Sequence, residues 1–381
     1  MDYKLQNIFG YIEGYYGKLL TWENRYKIVH ELKKNNFNTY FYCPKEDINH
    51  RFHWREKYPK TWIKEYKNFY NFSIKNKVNL ISGISPGLDF KYDIKKDFNI
   101  LLDKISQLQV SENQYIVLMF DDIPKEKIKN KYFNNIGILH SELANKIYTR
   151  LKGKIVFLPM IYSDELLNLC SFYFDQISQT LNPDIKILYC GKKIVSDSNC
   201  NKEISLLKKY IKNDIIFWDN FYANDYCPRK LYICPWYGRS KNNPTLFNLT
   251  GQIEIDLMLI NIIKCSLSKK FSRKMLSKFI PIEFFKIKNF FDFKKHFTQE
   301  INYNYDETLN TLDKLLWEWK SPLSRELYPF LLSLKQDLQF VNNKINNKRI
   351  EKSYFQPLSN TLKSRNKEGE KNEKYWIYWP W

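Results

Sequence analysis

Apolar and polar positions alternate along this chain on two length scales, from residue 7 to about residue 270. Short runs of β-branched, aliphatic and aromatic residues recur at 7–14, 37–43, 78–87, 115–120, 154–159, 185–190, 214–220 and, more weakly, 245–249. Continuous apolar runs of this length read as strands buried on both faces. Between them lie longer segments whose apolar residues return every three to four positions, the period of a helix packed on one side. That period predicts helices beginning near Thr21 and over 62–74, 95–108, 137–151, 163–181, 202–211 and 253–268. Thr21, followed by the apolar stripe Ile28, Val29 and Leu32, reads as a side-chain cap.

Eight strand–helix units in about 260 residues give the rhythm of a (β/α)8 TIM barrel, an α/β fold. An open doubly wound sheet would alternate similarly, but no G-x-G-x-x-G or P-loop follows any run. The barrel, a catalytic domain over 1–270, is the expectation. Past residue 270 the alternation stops, and 271–341 reads as a helical appendage with helices over 306–319 and 322–341. The second carries Leu327, Phe330, Leu331, Leu334, Leu338 and Phe340 on one helical stripe. Residues 342–381 form a polar segment ending in the aromatic tail Tyr375-Trp376-Ile377-Tyr378-Trp379-Pro380-Trp381. Such a tail is expected to dock on the body or on a partner subunit. The C-terminal helices are a candidate homodimer surface.

Composition narrows the partners. The net charge is +20, but basic residues are spread along the whole chain, with no dense arginine block and no nucleic-acid motif. No specific nucleic-acid partner is therefore expected. The seven cysteines, Cys43, Cys170, Cys190, Cys200, Cys227, Cys234 and Cys265, are odd in number and lack C-x-x-C spacing. Neither a zinc site nor a disulfide framework is indicated, and no metal or cofactor is expected. A reduced, cytoplasmic setting fits this usage, with no apolar signal core at the start and no run long enough to span a bilayer.

In barrels of this class chemistry gathers at the C-terminal ends of the strands. Here those ends are polar: Glu13-Gly14-Tyr15-Tyr16-Gly17, Pro44-Lys45-Glu46-Asp47 with His50-Arg51, Ser85-Pro86-Gly87-Leu88-Asp89, Asp121-Asp122, Tyr162, and Trp218-Asp219-Asn220 through Asp225. Carboxylates, amides, one lysine and aromatic rings suit a neutral polyhydroxylated ligand, with rings covering a sugar face and amides taking hydroxyls. The fourth run ends abruptly in two adjacent carboxylates, costly at the end of a buried strand unless solvated, paired or used. His50 and Arg51 read as structural, since a lone histidine beside an arginine is weak evidence for catalysis.

Several of these stretches resemble one family. Gly10-Tyr11-Ile12-Glu13-Gly14-Tyr15-Tyr16-Gly17, Asn38 to Asp47, His50-Arg51 with Trp54-Arg55-Glu56, Ile84 to Asp89, Phe120-Asp121-Asp122-Ile123, and Trp218-Asp219-Asn220 with Ala223-Asn224-Asp225-Tyr226 match glycoside hydrolase family 84 in order and spacing. The resemblance runs over roughly residues 7 to 268 and implies a retaining exo-β-N-acetylglucosaminidase acting by substrate assistance through an oxazoline. It implies that Asp121 stays ionised and orients the 2-acetamido group, while Asp122 is protonated at rest and serves as acid and then base. Adjacent carboxylates raise one another's proton affinity, so such a pair favours a single charge. The family's sugar contacts carry over as the Gly10 backbone carbonyl, Lys45, Tyr162, Trp218, Asn220 and Asp225, with a GlcNAc-bearing glycan or glycoprotein as the implied substrate. The chain departs from the pattern in three places. Thr250-Gly251-Gln252 replaces an Asn-Pro-Asn-like turn, leaving Gln252 as the stand-in. Tyr189-Cys190-Gly191 replaces Trp-Thr-Gly, and Met160-Ile161 precede Tyr162 where Thr-Glu is usual. The alternative these departures suggest is a catalytically weakened, lectin-like barrel that holds GlcNAc glycans.

Overall fold

In the computed structural model, which describes residues 8–17, 19–128, 131–227, 229–294 and 301–342, the strands close on themselves. The barrel runs in chain order from β1 to β8, every neighbouring pair parallel. Its strands are β1 (Phe9–Glu13), β2 (Thr39–Tyr42), β3 (Asn79–Ile84), β4 (Ile116–Met119), β5 (Ile155–Leu158), β6 (Lys186–Tyr189), β7 (Ile215–Asp219) and β8 (Thr245–Asn248). The closing pair sets Phe9 against Thr245 and Gly10 against Leu246. On β4, Val117 and Met119 point into the barrel core with Ile12, Phe41, Ile81, Val156, Leu158, Leu188, Ile216 and Leu246. Their neighbours Ile116 and Leu118 are equally buried on the opposite face. That two-sided burial is why the strands read as unbroken apolar runs rather than alternating ones.

The chain divides into two compact units, the first comprising 8–221 and 237–251 and the second 222–236 and 252–342. The first holds the barrel strands and the helices α1 (Trp22–Lys34), α2 (Lys60–Lys75), α3 (Lys95–Leu108), α4 (Lys125–Ile128), α5 (Ile136–Arg150), α6 (Tyr173–Thr180) and α7 (Leu207–Tyr210). The Thr21 hydroxyl caps α1 by accepting from the Asn24 amide at 3.2 Å. The helix expected over 163–181 is broken into a 3-10 turn, Asp164–Leu169, and α6. The reason is non-local. Past the end of β5 the backbone keeps pairing with the extension of β6, through Cys190 N to Tyr162 O at 2.8 Å and Asp164 N to Gly191 O at 3.0 Å. Those strand-like bonds leave no room for a first helical turn. The helix expected over 202–211 is likewise a 3-10 turn, Asn201–Ile204, followed by the single turn α7.

The second unit contains α8 (Ile253–Leu267), α9 (Arg273–Leu276), α10 (Phe284–Ile287), α11 (Tyr305–Trp317) and α12 (Pro322–Val341). Leu312, Leu315 and Leu316 of α11 are buried, as are Leu327, Phe330, Leu331, Leu334 and Leu338 of α12. A Lys335–Asp313 pair at 2.5 Å links the two helices. No helix among the described residues is long and apolar enough to cross a membrane. The aromatic tail expected over 375–381 lies outside the described residues.

Candidate active site

The site is built where β4 runs out. Phe120 N still donates to Leu158 O at 3.0 Å, and the Phe120 ring stacks on His140 at 3.6 Å. One residue later the chain turns, carrying Asp121 and Asp122 at the C-terminal mouth of the barrel. Asp122 has φ +52, one of five non-glycine residues in the left-handed region among those described. The other four, Asn36, Lys77, Lys152 and Lys269, each follow the last residues of a helix, where this conformation is an ordinary terminator. Asp122 alone adopts it after a strand, and strained backbone of this kind concentrates at functional sites.

Four side chains converge on the pair from three other strand ends. Lys45, after β2, places its buried ammonium in direct contact with Asp121 Oδ2 and 3.5 Å from Asp122 Oδ2. Tyr16, after β1, donates to Asp122 Oδ2 at 2.9 Å, and Tyr162, after β5, donates to Asp122 Oδ1 at 2.6 Å. Arg51 donates through one nitrogen to the Tyr16 hydroxyl at 3.1 Å and through another to the Asp122 carbonyl. The cluster is charge-balanced, two carboxylates against one lysine and one arginine. Its members differ in access, since the Asp121 side chain is 5 % exposed and that of Asp122 is 24 % exposed. Asp121 Oδ1 is buried with no hydrogen-bond partner among the described residues. A buried carboxylate oxygen left unpaired is costly and calls for an explanation.

The electrostatics correct one expectation. Burial pushes the Asp122 carboxyl up, but Lys45, Arg51 and the two phenols outweigh it and hold the group below its usual range. In this arrangement Asp122 is a carboxylate rather than the resting acid. Lys45 is lowered by burial yet raised on balance by Asp121 and Asp122, so it remains an ammonium. Burial beside Asp122 drives the Tyr16 and Tyr162 hydroxyls far up, keeping both as donors.

The other sequence-derived residues divide. Trp218 closes the core at the end of β7, edge-on to Phe41 at 5.8 Å and with Tyr162 packed against the same cluster. Asn220 is beside it, but its amide is occupied: Oδ1 accepts from Trp218 Nε1 at 2.8 Å and Asn248 Nδ2 at 3.0 Å, while Nδ2 donates to Ile194 O at 2.9 Å. Gly10 is misplaced. It sits low in β1, paired with Thr39 on one side and Leu246 on the other, where its peptide belongs to the sheet. The glycine at the rim is Gly14, against the Trp218 ring, where an added Cβ would lie 2.7 Å from the indole. Asp225 and Gln252 fall in the second unit, Asp225 Oδ1 accepting from Tyr226 N at 3.0 Å and Gln252 preceding α8.

Three residues were missed. Tyr16 and Arg51 lay inside matched stretches, yet nothing local distinguished them from packing residues. Asn248 ends β8 with a buried Oδ1 that has no hydrogen-bond partner among the described residues.

A closed parallel barrel with a carboxylate pair and a lysine at its mouth can serve a glycoside hydrolase, and comparison with known proteins assigns that class. The family model for beta-N-acetylglucosaminidase (NAGidase) matches residues 9–249, and the chain belongs to that family. Protein O-GlcNAcase of Mus musculus is 31 % identical over 238 residues, 61 % of this chain and 26 % of that protein. The same protein from Rattus norvegicus matches with the same figures, 31 % over 238 residues. The chain thus spans about a quarter of the length of these curated relatives. Among solved structures, a mutant of Thermobaculum terrenum O-GlcNAc hydrolase superposes with a TM-score of 0.76, covering 98 % of this chain and 89 % of that one at 18 % identity. That likeness is one of fold.

Proposed function

We propose that the chain is a retaining exo-β-N-acetylglucosaminidase that removes terminal β-linked GlcNAc, including GlcNAc carried on protein hydroxyls, by substrate-assisted catalysis. The observation that carries this reading is the unpaired, buried Asp121 Oδ1 beside the more exposed Asp122. The acetamido N–H of the sugar supplies the missing donor to Asp121, while the Lys45 ammonium holds the other oxygen in place. So oriented, the acetamido oxygen attacks the anomeric carbon and the glycosidic bond breaks. Asp122 delivers a proton to the departing oxygen, then takes one from the water that opens the oxazoline.

For this, Asp122 must gain proton affinity when substrate arrives. Tyr162 provides the means. Its hydroxyl, turned toward the acetamido group, no longer donates to Asp122 Oδ1, and loss of that bond favours the protonated form. The test is hydrolysis of an aryl β-N-acetylglucosaminide by the wild type, Asp121→Asn and Asp122→Asn. Both variants are expected to lose about 10²-fold or more in kcat. Equal rates in all three would remove the assignment. The departures at Gln252 and at Met160-Ile161 favour a second reading, a barrel that binds GlcNAc without turnover. Saturable glycan binding by a protein that hydrolyses no glycoside selects it.

Two further readings go with this proposal. All seven cysteines are free thiols, which supports a reduced compartment. The C-terminal helices, on which Trp317 is 55 % exposed, are proposed as a homodimer surface. A monomeric mass by light scattering at working concentration rejects the dimer.

A further inference from the structure

We infer that Tyr16 and Arg51 are positioning residues for Asp122, together fixing its backbone turn and assigning the transferable proton to Oδ1. The inference rests on the proposed acid–base role of Asp122 and adds which atoms make that role stereospecific.

The two oxygens of Asp122 live in different fields. Oδ2 accepts from Tyr16 at 2.9 Å and has the Lys45 ammonium 3.5 Å away. Oδ1 meets the Tyr162 hydroxyl at 2.6 Å. A proton avoids the oxygen that faces an ammonium and settles where the competing donor can leave. Of the two phenols, Tyr162 can turn toward substrate, whereas Tyr16 is tied by Arg51. The guanidinium donates to the Tyr16 oxygen at 3.1 Å, which occupies a lone pair and leaves the phenol hydrogen to point at Asp122. The same guanidinium holds the Asp122 carbonyl, the other end of the residue, in its left-handed conformation. One arginine thus grips both the backbone and, through Tyr16, the carboxylate.

Arg51 has little else to do. It is 3 % exposed, and its guanidinium donates to the Tyr16 hydroxyl and the Asp122 carbonyl. The groups facing Asp122 are Asp121 on its own turn, Lys45 and Arg51 from the loop after β2, Tyr16 from the loop after β1, Tyr162 after β5 and Cys190 after β6. Lys45 and Arg51 oppose protonation of Asp122, and the phenol bonds reinforce them. Asp121 and Cys190 carry no positive charge to add.

The experiment measures kcat/KM against pH for the wild type, Tyr16→Phe, Arg51→Lys and Arg51→Met, on an aryl glycoside with an acidic phenol and on an alkyl glycoside. Tyr16→Phe removes one donor from the carboxylate and is expected to move the alkaline limb up by about one pH unit. On its plateau the alkyl glycoside, which needs the proton, should lose about tenfold more than the aryl glycoside. Arg51→Lys should retain a larger part of the wild-type limb position than Arg51→Met. An unmoved limb, with equal proportional losses on both substrates, overturns the inference and leaves the two residues as packing. Tyr16→Phe alone decides the matter should the arginine variants fail to fold. A second arm reads Asp122 directly, by carboxyl-carbon NMR titration of aspartate-labelled protein. A higher midpoint in Tyr16→Phe than in wild type supports the inference, and equal midpoints overturn it. A wild type that hydrolyses neither glycoside removes the functional reading, and the titration still decides this one.

Discussion

Of the buried ion pairs among the described residues of the barrel unit, Arg25–Glu13 and Lys45–Asp121 differ in one respect that separates structure from chemistry. At the end of β1, Glu13 is fully buried and saturated: Arg25 donates to both of its oxygens at 2.9 and 2.8 Å, and Tyr40 adds a bond at 2.6 Å. The Arg25 guanidinium stacks over Trp22 at 4.5 Å, so even its faces are covered. At the end of β4, Lys45 pairs with Asp121 just as deeply, yet one Asp121 oxygen is left without a partner and the next residue sits on strained backbone. The first pair has every valence met and tightens α1 onto the barrel. The second carries unmet acceptor capacity and conformational strain, and a protein retains those only where something outside it completes the set.

The largest effect expected from this contrast is on stability. Arg25→Met leaves the Glu13 charge buried without its partner and should cost about 3–5 kcal/mol, read by urea unfolding. A change under 1 kcal/mol would show the pair is not the anchor described. Asp121→Asn should lower kcat by about 10²–10⁴-fold while costing less stability than Arg25→Met, because the Asp122 carboxylate, 3.5 Å from the Lys45 ammonium, still faces it. A stability loss as large as that of Arg25→Met would erase the distinction between the two pairs.

The acid side of the stability curve comes next. His140, under Phe120, and His50, bonded to Gly83 O at 3.1 Å, are both pushed down to about 3 by burial. The unfolded chain binds these protons near pH 6.5 while the folded chain does not. Stability is therefore present in full above about pH 6.5 and falls as the pH drops toward 3, by about 1.4 kcal/mol per pH unit for each histidine. A His140→Gln variant should show a slope reduced by one proton, and an unchanged slope would exclude His140 as a source. The smallest effect belongs to the rim. Gly14→Ala presses a methyl against the Trp218 ring and should cost about 1–3 kcal/mol, with KM rising more than kcat falls. Unaltered KM would detach Gly14 and Trp218 from the sugar pocket.

Much of this was legible in the chain. Parallel strands buried on both faces produce unbroken apolar runs, so all eight could be located to within a few residues. Asp121 and Asp122 stood out because two charges directly after such a run must be solvated, paired or used, and other strand ends carried polar residues to join them. The helix over 163–181 was not legible, since its loss depends on backbone bonds joining Tyr162 and Asp164 to Cys190 and Gly191, just past β6. Gly10 and Gly14 lie four positions apart in one motif, and only strand register shows which belongs to the sheet and which to the rim. Arg51 looked structural because its two acceptors are 35 and 71 residues away.

Periodicity and residue type by themselves set the strand count, the barrel and the end of it at which charge collects, because side-chain direction and burial follow from short-range backbone geometry. The proton state of Asp122 could not be read that way. Adjacent carboxylates alone argue for a shared proton, whereas the folded site brings Lys45, Arg51 and two phenols from distant loops and reverses the balance. Coulomb energies and hydrogen bonds change sign and size over one or two ångströms, a scale that only the closed barrel defines.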